Sequence, residues 1–198
     1  NVVCGERETG RMVVEHKRPD MVSITGSVGA GIQVAQSAAT QLKRVHLELG
    51  GKAPVVVFAD ADLAAAAEGI AIAGYFNAGQ DCTAATRVIV EASVYDEFVA
   101  LLTEQAKGIA IGSPSEDVFL GPVNNANQLA RVSAFFDRLP SHAKVMTGGK
   151  ALDKPGFFFP ATVVADLKQD DEMIQSEIFG PVITVQKFSD EADAISKA

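Results

Sequence analysis

Strand-like and helix-like runs alternate along this chain from beginning to end, and that alternation limits the folds open to it. Residues 21–24, 45–49, 55–58, 86–90, 144–146 and 182–188 are short and mostly apolar or alternating, so they read as strands. Residues 29–41, 63–76, 93–107 and 126–139 carry small or amphipathic patterns of helical length, and a further helix opens at 189. Strand, helix and strand in succession return the chain to the same end of a sheet, which makes the neighbouring strands parallel. The expected class is therefore α/β with a largely parallel sheet. Helix starts carry their own marks. Asp60 and Asp62 precede the alanine-rich run, Ser93 precedes the next helix and Ser189 the last. Each has a side chain able to accept from a free backbone N–H.

Composition restricts the function classes. The 198 residues are 47% hydrophobic and 21% charged, enough to pack a core. Formal net charge is −8 and no Lys/Arg cluster stands out, which argues against a nucleic-acid partner. The cysteines are only two, Cys4 and Cys82, so a disulfide framework is not expected and reduced thiols in a cytoplasmic protein are. His16, His46 and His142 lie far apart without ligand spacing, so no metal site is expected. No apolar run approaches the length of a membrane span. Asn1-Val2-Val3 reads as a strand already in progress, and the final residues as a helix just begun, so the chain is expected to be an excerpt of a longer protein.

Four stretches could carry chemistry. In "SITGSVGAG", residues 23–31, a strand runs into a glycine-rich turn and a helix start. Free backbone N–H groups and the positive end of the helix dipole suit a phosphate there, and Ser27 adds a hydroxyl. The glycine spacing fits neither common phosphate-loop pattern, and a plain strand-to-helix turn remains the alternative. In "VHLELGGKAP", residues 45–54, alternation points Val45, Leu47 and Leu49 one way and His46 and Glu48 the other. Glu48 is either a general base or a surface carboxylate on an edge strand. In "GYFNAGQDCTAATR", residues 74–87, Cys82 stands in a polar break between a helix and a strand. Backbone donors could stabilise its thiolate, though a buried structural thiol fits as well. In "SEIFGPVITV", residues 176–185, Glu177 and Phe179 precede a Gly-Pro turn into the last strand.

Taken together and in order, these stretches resemble the aldehyde dehydrogenase superfamily over essentially the whole chain. The carrying motifs are "ITGSVGAG", "LELGGKAP", "FADADL", "FNAGQDCTAATR", "YDEFV", "LGPV", "TGG" and "EIFGPV". Within it, "GGKAP" with "GYFNAGQDCTAATR" looks most like the γ-aminobutyraldehyde and betaine-aldehyde enzymes.

The resemblance implies the tail of a Rossmann-type cofactor domain at residues 1–49, then a three-layer α/β catalytic domain at residues 50–198, cut at its C-terminus. It implies NAD as the cofactor, with NADP the alternative, and a small-molecule aldehyde as substrate. Cys82 would be the nucleophile and Glu48 the general base. Gly26 and Ser27 would sit by the pyrophosphate, Leu49 and Phe179 by the nicotinamide, and Glu177 on its ribose. Asp81, just ahead of the nucleophile, would favour an ω-aminoaldehyde such as 4-aminobutanal by attracting its ammonium group. A homo-oligomer, dimeric or tetrameric, is implied at full length. The family's chain is more than twice this long, so residues 1–198 alone would turn over little. A coenzyme-A-acylating or hydrolytic thiol enzyme, or a fold without activity, are the rival readings.

Overall fold

The structure is a computed structural model describing residues 1–198, and it divides into two compact units, Asn1–Gly50 and Gly51–Ala198. The first unit runs α1 (Arg7–Glu15), β1 (Met21–Gly26), α2 (Val28–Ala39) and β2 (Arg44–Leu49). β1 and β2 pair in parallel with Met21 opposite Arg44 and Gly26 opposite Leu49. α2 covers one face of that pair, where Val22 and Ala38 are buried.

The strand expected at Asn1–Val3 is absent: those residues are exposed and irregular, and α1 follows instead. α1 buries no residue. It contacts α2, and Arg11 pairs with both Glu8 and Glu15 along one face. Its C-terminal carbonyls are also held from outside. Lys43 Nζ donates to Val14 O and His16 O, both at 2.5 Å, and Gln41 Nε2 donates to Glu15 O at 2.8 Å. A cation on those carbonyls answers the negative end of the helix dipole.

The second unit holds a five-stranded sheet. Its strands are β3 (Pro54–Val57), β4 (Arg87–Glu91), β5 (Lys144–Thr147), β6 (Thr162–Ala165) and β7 (Val182–Phe188), in spatial order β3-β4-β7-β6-β5. All neighbours are parallel except β5 with β6. The helices are α3 (Leu63–Tyr75), α4 (Tyr95–Gly108), α5 (Ala126–Asp137), α6 (Glu172–Gln175) and α7 (Glu191–Lys197).

Side chains alternate between the two faces of the central strands. Val88, Val90, Val163, Ile183 and Val185 join the cluster under α3 and α4. Val164 and Val182 join the cluster under α5 and α6, with Val132, Phe135 and Ile174. Helices on both faces make the expected three layers, and strands buried on both sides read as unbroken apolar runs. Two helix starts differ from expectation. Val94, not Ser93, caps α4, because the Ser93 hydroxyl is drawn to Glu91 Oε1 at 2.9 Å. Asp190, not Ser189, caps α7 by accepting from Asp193 N at 2.9 Å. No helix is long and apolar enough to cross a membrane.

Candidate active site

In the first unit the singled-out residues gather at the C-terminal ends of the strands. Gly26 ends β1 and Ser27 caps α2, its Oγ accepting from Ala30 N at 3.2 Å. That bond leaves the hydroxyl proton free to donate. A Cβ at Gly26 would meet nothing closer than 3.7 Å, and one at Gly29 nothing within 4 Å. Internal packing therefore does not demand glycine at either position, whereas close approach from outside would. A cavity of about 800 Å³ opens beside this turn, lined by Gly5, Thr9, Gly10, Ile24, Ser27 and Ala30 among others. That is the scale of a ligand pocket. Its α1 wall had no strand or helix signal strong enough to be foreseen.

Glu48 and Leu49 end β2. Glu48 is exposed, and its Oε1 lies 3.0 Å from His46 Nε2. His46 Nδ1 lies 3.4 Å from Ser23 Oγ on the paired strand. Leu49 points the other way and packs over Gly31, where a Cβ would lie 2.6 Å from Leu49 Cδ2. The alternation puts the polar side chains on one face and the leucine on α2.

In the second unit the singled-out residues gather at the N-terminal ends of the strands. Cys82 is exposed on the loop between α3 and β4. Three successive residues there, Asn77, Ala78 and Gly79, take left-handed conformations with φ of 51°, 57° and 68°. Such a run costs on the order of 1 kcal/mol per non-glycine residue, so neighbours must hold it. Gly79 lies directly against the Gly180 carbonyl, where any Cβ would overlap it. This contact presses the cysteine loop onto the "EIFGPV" turn, so the third and fourth sequence stretches meet.

Side-chain amides lock the pair of loops. Gln80 Oε1 accepts from Asn124 N at 2.9 Å and Gln80 Nε2 donates to Asn124 Oδ1 at 3.3 Å. Gln128 Nε2 donates to Ile178 O and Phe179 O at 3.1 and 2.7 Å, and Arg131 Nη2 to Glu177 O at 2.7 Å. Sequence reading passed over Gln80, Asn124 and Gln128 because each acts on a residue more than forty positions away. Phe179 itself has φ of 59°, a left-handed turn that no local pattern announced.

Cys82 N–H makes no hydrogen bond within the chain, so it is free to donate to an oxyanion. The Asp81 carboxylate is turned onto Thr83: Oδ1 accepts from Thr83 N and Oγ1, both at 2.8 Å. These bonds hold its pKa below the ordinary carboxylate value. Glu177 is half-buried, and its Oε1 is shielded from water with no partner. A buried acceptor left unpaired asks for a donor the chain does not supply. Turned outward, the half-buried carboxylate would accept from a ribose hydroxyl.

Parallel α/β units define the class. One carries a glycine turn at a helix start and the other an exposed thiol on a clamped loop. The chain belongs to the aldehyde dehydrogenase family, whose sequence model matches residues 1–198. It is 39% identical over its whole length to a betaine aldehyde dehydrogenase of Sinorhizobium fredii and 41% identical to the lactaldehyde dehydrogenase of Escherichia coli. It spans 42% of the length of each of these curated relatives. Among solved structures, that of the Escherichia coli lactaldehyde dehydrogenase superposes with a TM-score of 0.92 at 39% identity, covering 95% of this chain and 40% of that one. Betaine aldehyde dehydrogenase from Staphylococcus aureus, crystallised in complex with NAD+, gives 0.91 at 34% identity, covering 95% of this chain and 38% of that one.

Proposed function

We propose that the protein carrying this chain oxidises an aldehyde to its carboxylic acid with NAD, through a covalent intermediate on Cys82. The observation that carries the reading is the cysteine loop: an exposed thiol, with its own N–H free, on a loop fixed against a turn whose Glu177 carboxylate lacks a partner. NAD, when bound, accepts the hydride that leaves the substrate carbon.

The chain's own residues do the rest. The Cys82 thiolate adds to the carbonyl carbon, forming a C–S bond and an alkoxide. Cys82 N–H donates to that oxygen, a contact worth about 3 kcal/mol in comparable sites. After oxidation a thioester joins the acyl group to Cys82. Glu48 takes a proton from water, the resulting hydroxide adds to the thioester carbon, and the C–S bond breaks to release the acid. Ser27 and the bare N–H groups at the start of α2 take the pyrophosphate. Glu177 accepts from the ribose, Phe179 packs near the nicotinamide ring, and Leu49 borders it through its backbone, its side chain being spent on Gly31.

The substrate belongs to the same reading. Betaine aldehyde, named for several relatives, carries a quaternary ammonium group. Asp81 offers a carboxylate whose pKa the bonds from Thr83 hold below the ordinary value, so it is an anion at neutral pH. An ω-aminoaldehyde such as 4-aminobutanal is therefore the preferred substrate. The Asp81→Asn variant should lose that preference over a plain aldehyde of equal length, and an unchanged ratio of kcat/KM values would remove Asp81 from the account.

The activity is tested at natural length by NADH absorbance with aldehyde and NAD, without coenzyme A. Steady NADH formation supports the reading. Formation only with coenzyme A present would favour an acylating enzyme, and none at all an inactive fold.

A further inference from the structure

The thiol is presented by a tight turn, and the residue in front of it holds that turn. Ala84 N donates to Asp81 O at 3.2 Å, which closes residues 81–84 with Cys82 and Thr83 at the two corners. Ala84 is buried and ends the turn in the core. The Asp81 side chain spans the same residues a second time. Its Oδ1 accepts from Thr83 N and from Thr83 Oγ1, both at 2.8 Å. A side-chain oxygen bonded to the N–H two residues on mimics a backbone turn and fixes the dihedrals it encloses. Here the enclosed residue is Cys82.

The same bonds sort the donors beside the sulfur. Two successive N–H groups lie at the corners of the turn. Asp81 takes up the one on Thr83, and the one on Cys82 makes no bond within the chain. A locked turn therefore fixes one free N–H and one thiol on the same residue. The lock uses only Oδ1, so Oδ2 remains for the cationic group of a substrate. It also needs only an oxygen acceptor at the right distance, and not a negative charge.

We propose that Asp81 is a positioning residue for the nucleophile, its bonds to Thr83 holding Cys82 so that one aldehyde meets the thiol with its carbon and the Cys82 N–H with its oxygen. The inference rests on the reaction proposed for Cys82. It gives Asp81 a task that depends on shape, beside the substrate preference that depends on charge.

The test uses the protein at natural length and three variants that separate shape from charge. Asp81→Asn keeps an oxygen acceptor in the same place without the charge, Asp81→Glu keeps the charge on a side chain too long for the turn, and Asp81→Ala keeps neither. The first readout is NADH formed in the first turnover with a plain aldehyde, which has no ammonium group for a carboxylate to select. Asp81→Ala and Asp81→Glu lower that rate about tenfold while the affinity for NAD stays put. Asp81→Asn restores most of what Asp81→Ala loses. A wild-type rate in Asp81→Ala, or rescue by Asp81→Glu in place of Asp81→Asn, overturns the proposal. If Asp81→Ala does not fold, the contrast between Asp81→Asn and Asp81→Glu makes the same decision.

The second readout is hydrogen exchange at Thr83 N–H, which needs neither aldehyde nor cofactor. Exchange is slow in the wild type and in Asp81→Asn, and about tenfold faster in Asp81→Glu and Asp81→Ala. If the wild-type protein forms no NADH, the reaction proposed for Cys82 fails by itself, and this exchange decides whether Asp81 locks the turn. Equal exchange at Thr83 in wild type and Asp81→Glu overturns the lock.

Discussion

The two units place their candidate residues at opposite ends of parallel strands. In the first, Gly26, Ser27, Glu48 and Leu49 stand where β1 and β2 end. In the second, Cys82, Glu177 and Phe179 stand just before β4 and β7 begin. The usual crevice of an α/β sheet lies at the carboxyl ends, where helix N-termini gather and phosphates are welcome. The first unit follows that rule. The second reverses it, and helix C-termini with their negative partial charge point to the edge that bears its candidate residues, α3 leading directly into the cysteine loop. A site there cannot be assembled from free helix N–H groups. It is built instead from strained turns clamped by amide side chains, namely Gln80 with Asn124 and Gln128 with Phe179 O.

The contrast extends to burial within residues 1–198. β4 and β7 are almost wholly buried, whereas β2 is mostly exposed and α1 buries nothing. The second unit can hold left-handed turns under strain, and the first holds a cap and an open glycine turn.

Four perturbations sharpen or break this comparison. The largest effect belongs to the thiol. Cys82→Ser should cut aldehyde-dependent NADH formation by about 10³-fold or more without moving the thermal midpoint, since the side chain is exposed. Comparable rates would break the assignment of chemistry to the strand-start edge.

Next comes Gly79→Ala, which forces a methyl group into the Gly180 carbonyl at a left-handed φ of 68°. It should cost about 3 kcal/mol of unfolding free energy and slow alkylation of Cys82. Its counterpart in the first unit, Gly31→Ala, meets only the end of the Leu49 side chain, which can turn aside. A cost of about 1 kcal/mol or less is expected there. Equal costs in denaturant melts would mean that the clamped edge is no more tightly packed than the open one.

Third is the pH dependence of stability. Lys52 has a pKa of about 7 in the fold against 10.5 for the free side chain, so the unfolded chain binds the extra proton between those values. Stability of the second unit should therefore rise with pH across that window, by at most about 1.4 kcal/mol per pH unit from this group. In Lys52→Met that contribution vanishes. Smallest is Ser27→Ala, which removes the cap of α2 and should cost about 1 kcal/mol, with a parallel loss of cofactor affinity.

The sequence made the architecture readable where physics is local. β4 and β7 are continuous apolar runs, and α3 and α5 have helical spacing and capping residues. It hid α1, whose support comes from ion pairs and from Lys43 at the far end of the unit, and α6, a single turn. The Cys82 and Glu177 stretches were recognisable as motifs, but their contact through Gly79 and Gly180 depends on two loops about a hundred residues apart. Lys52 lies inside the "GGKAP" motif with nothing local to mark it, because burial and the charge of Arg87, far along the chain, are what lower its pKa.

The central proposal is that Cys82 carries the acyl group and Glu48 releases it. Intact and peptide mass spectrometry of the Glu48→Gln variant at natural length, quenched in acid after exposure to aldehyde and NAD, tests this most directly. The account predicts a stable acyl adduct on the Cys82 peptide, absent without NAD. NADH production at the wild-type rate with no adduct on that peptide would contradict it.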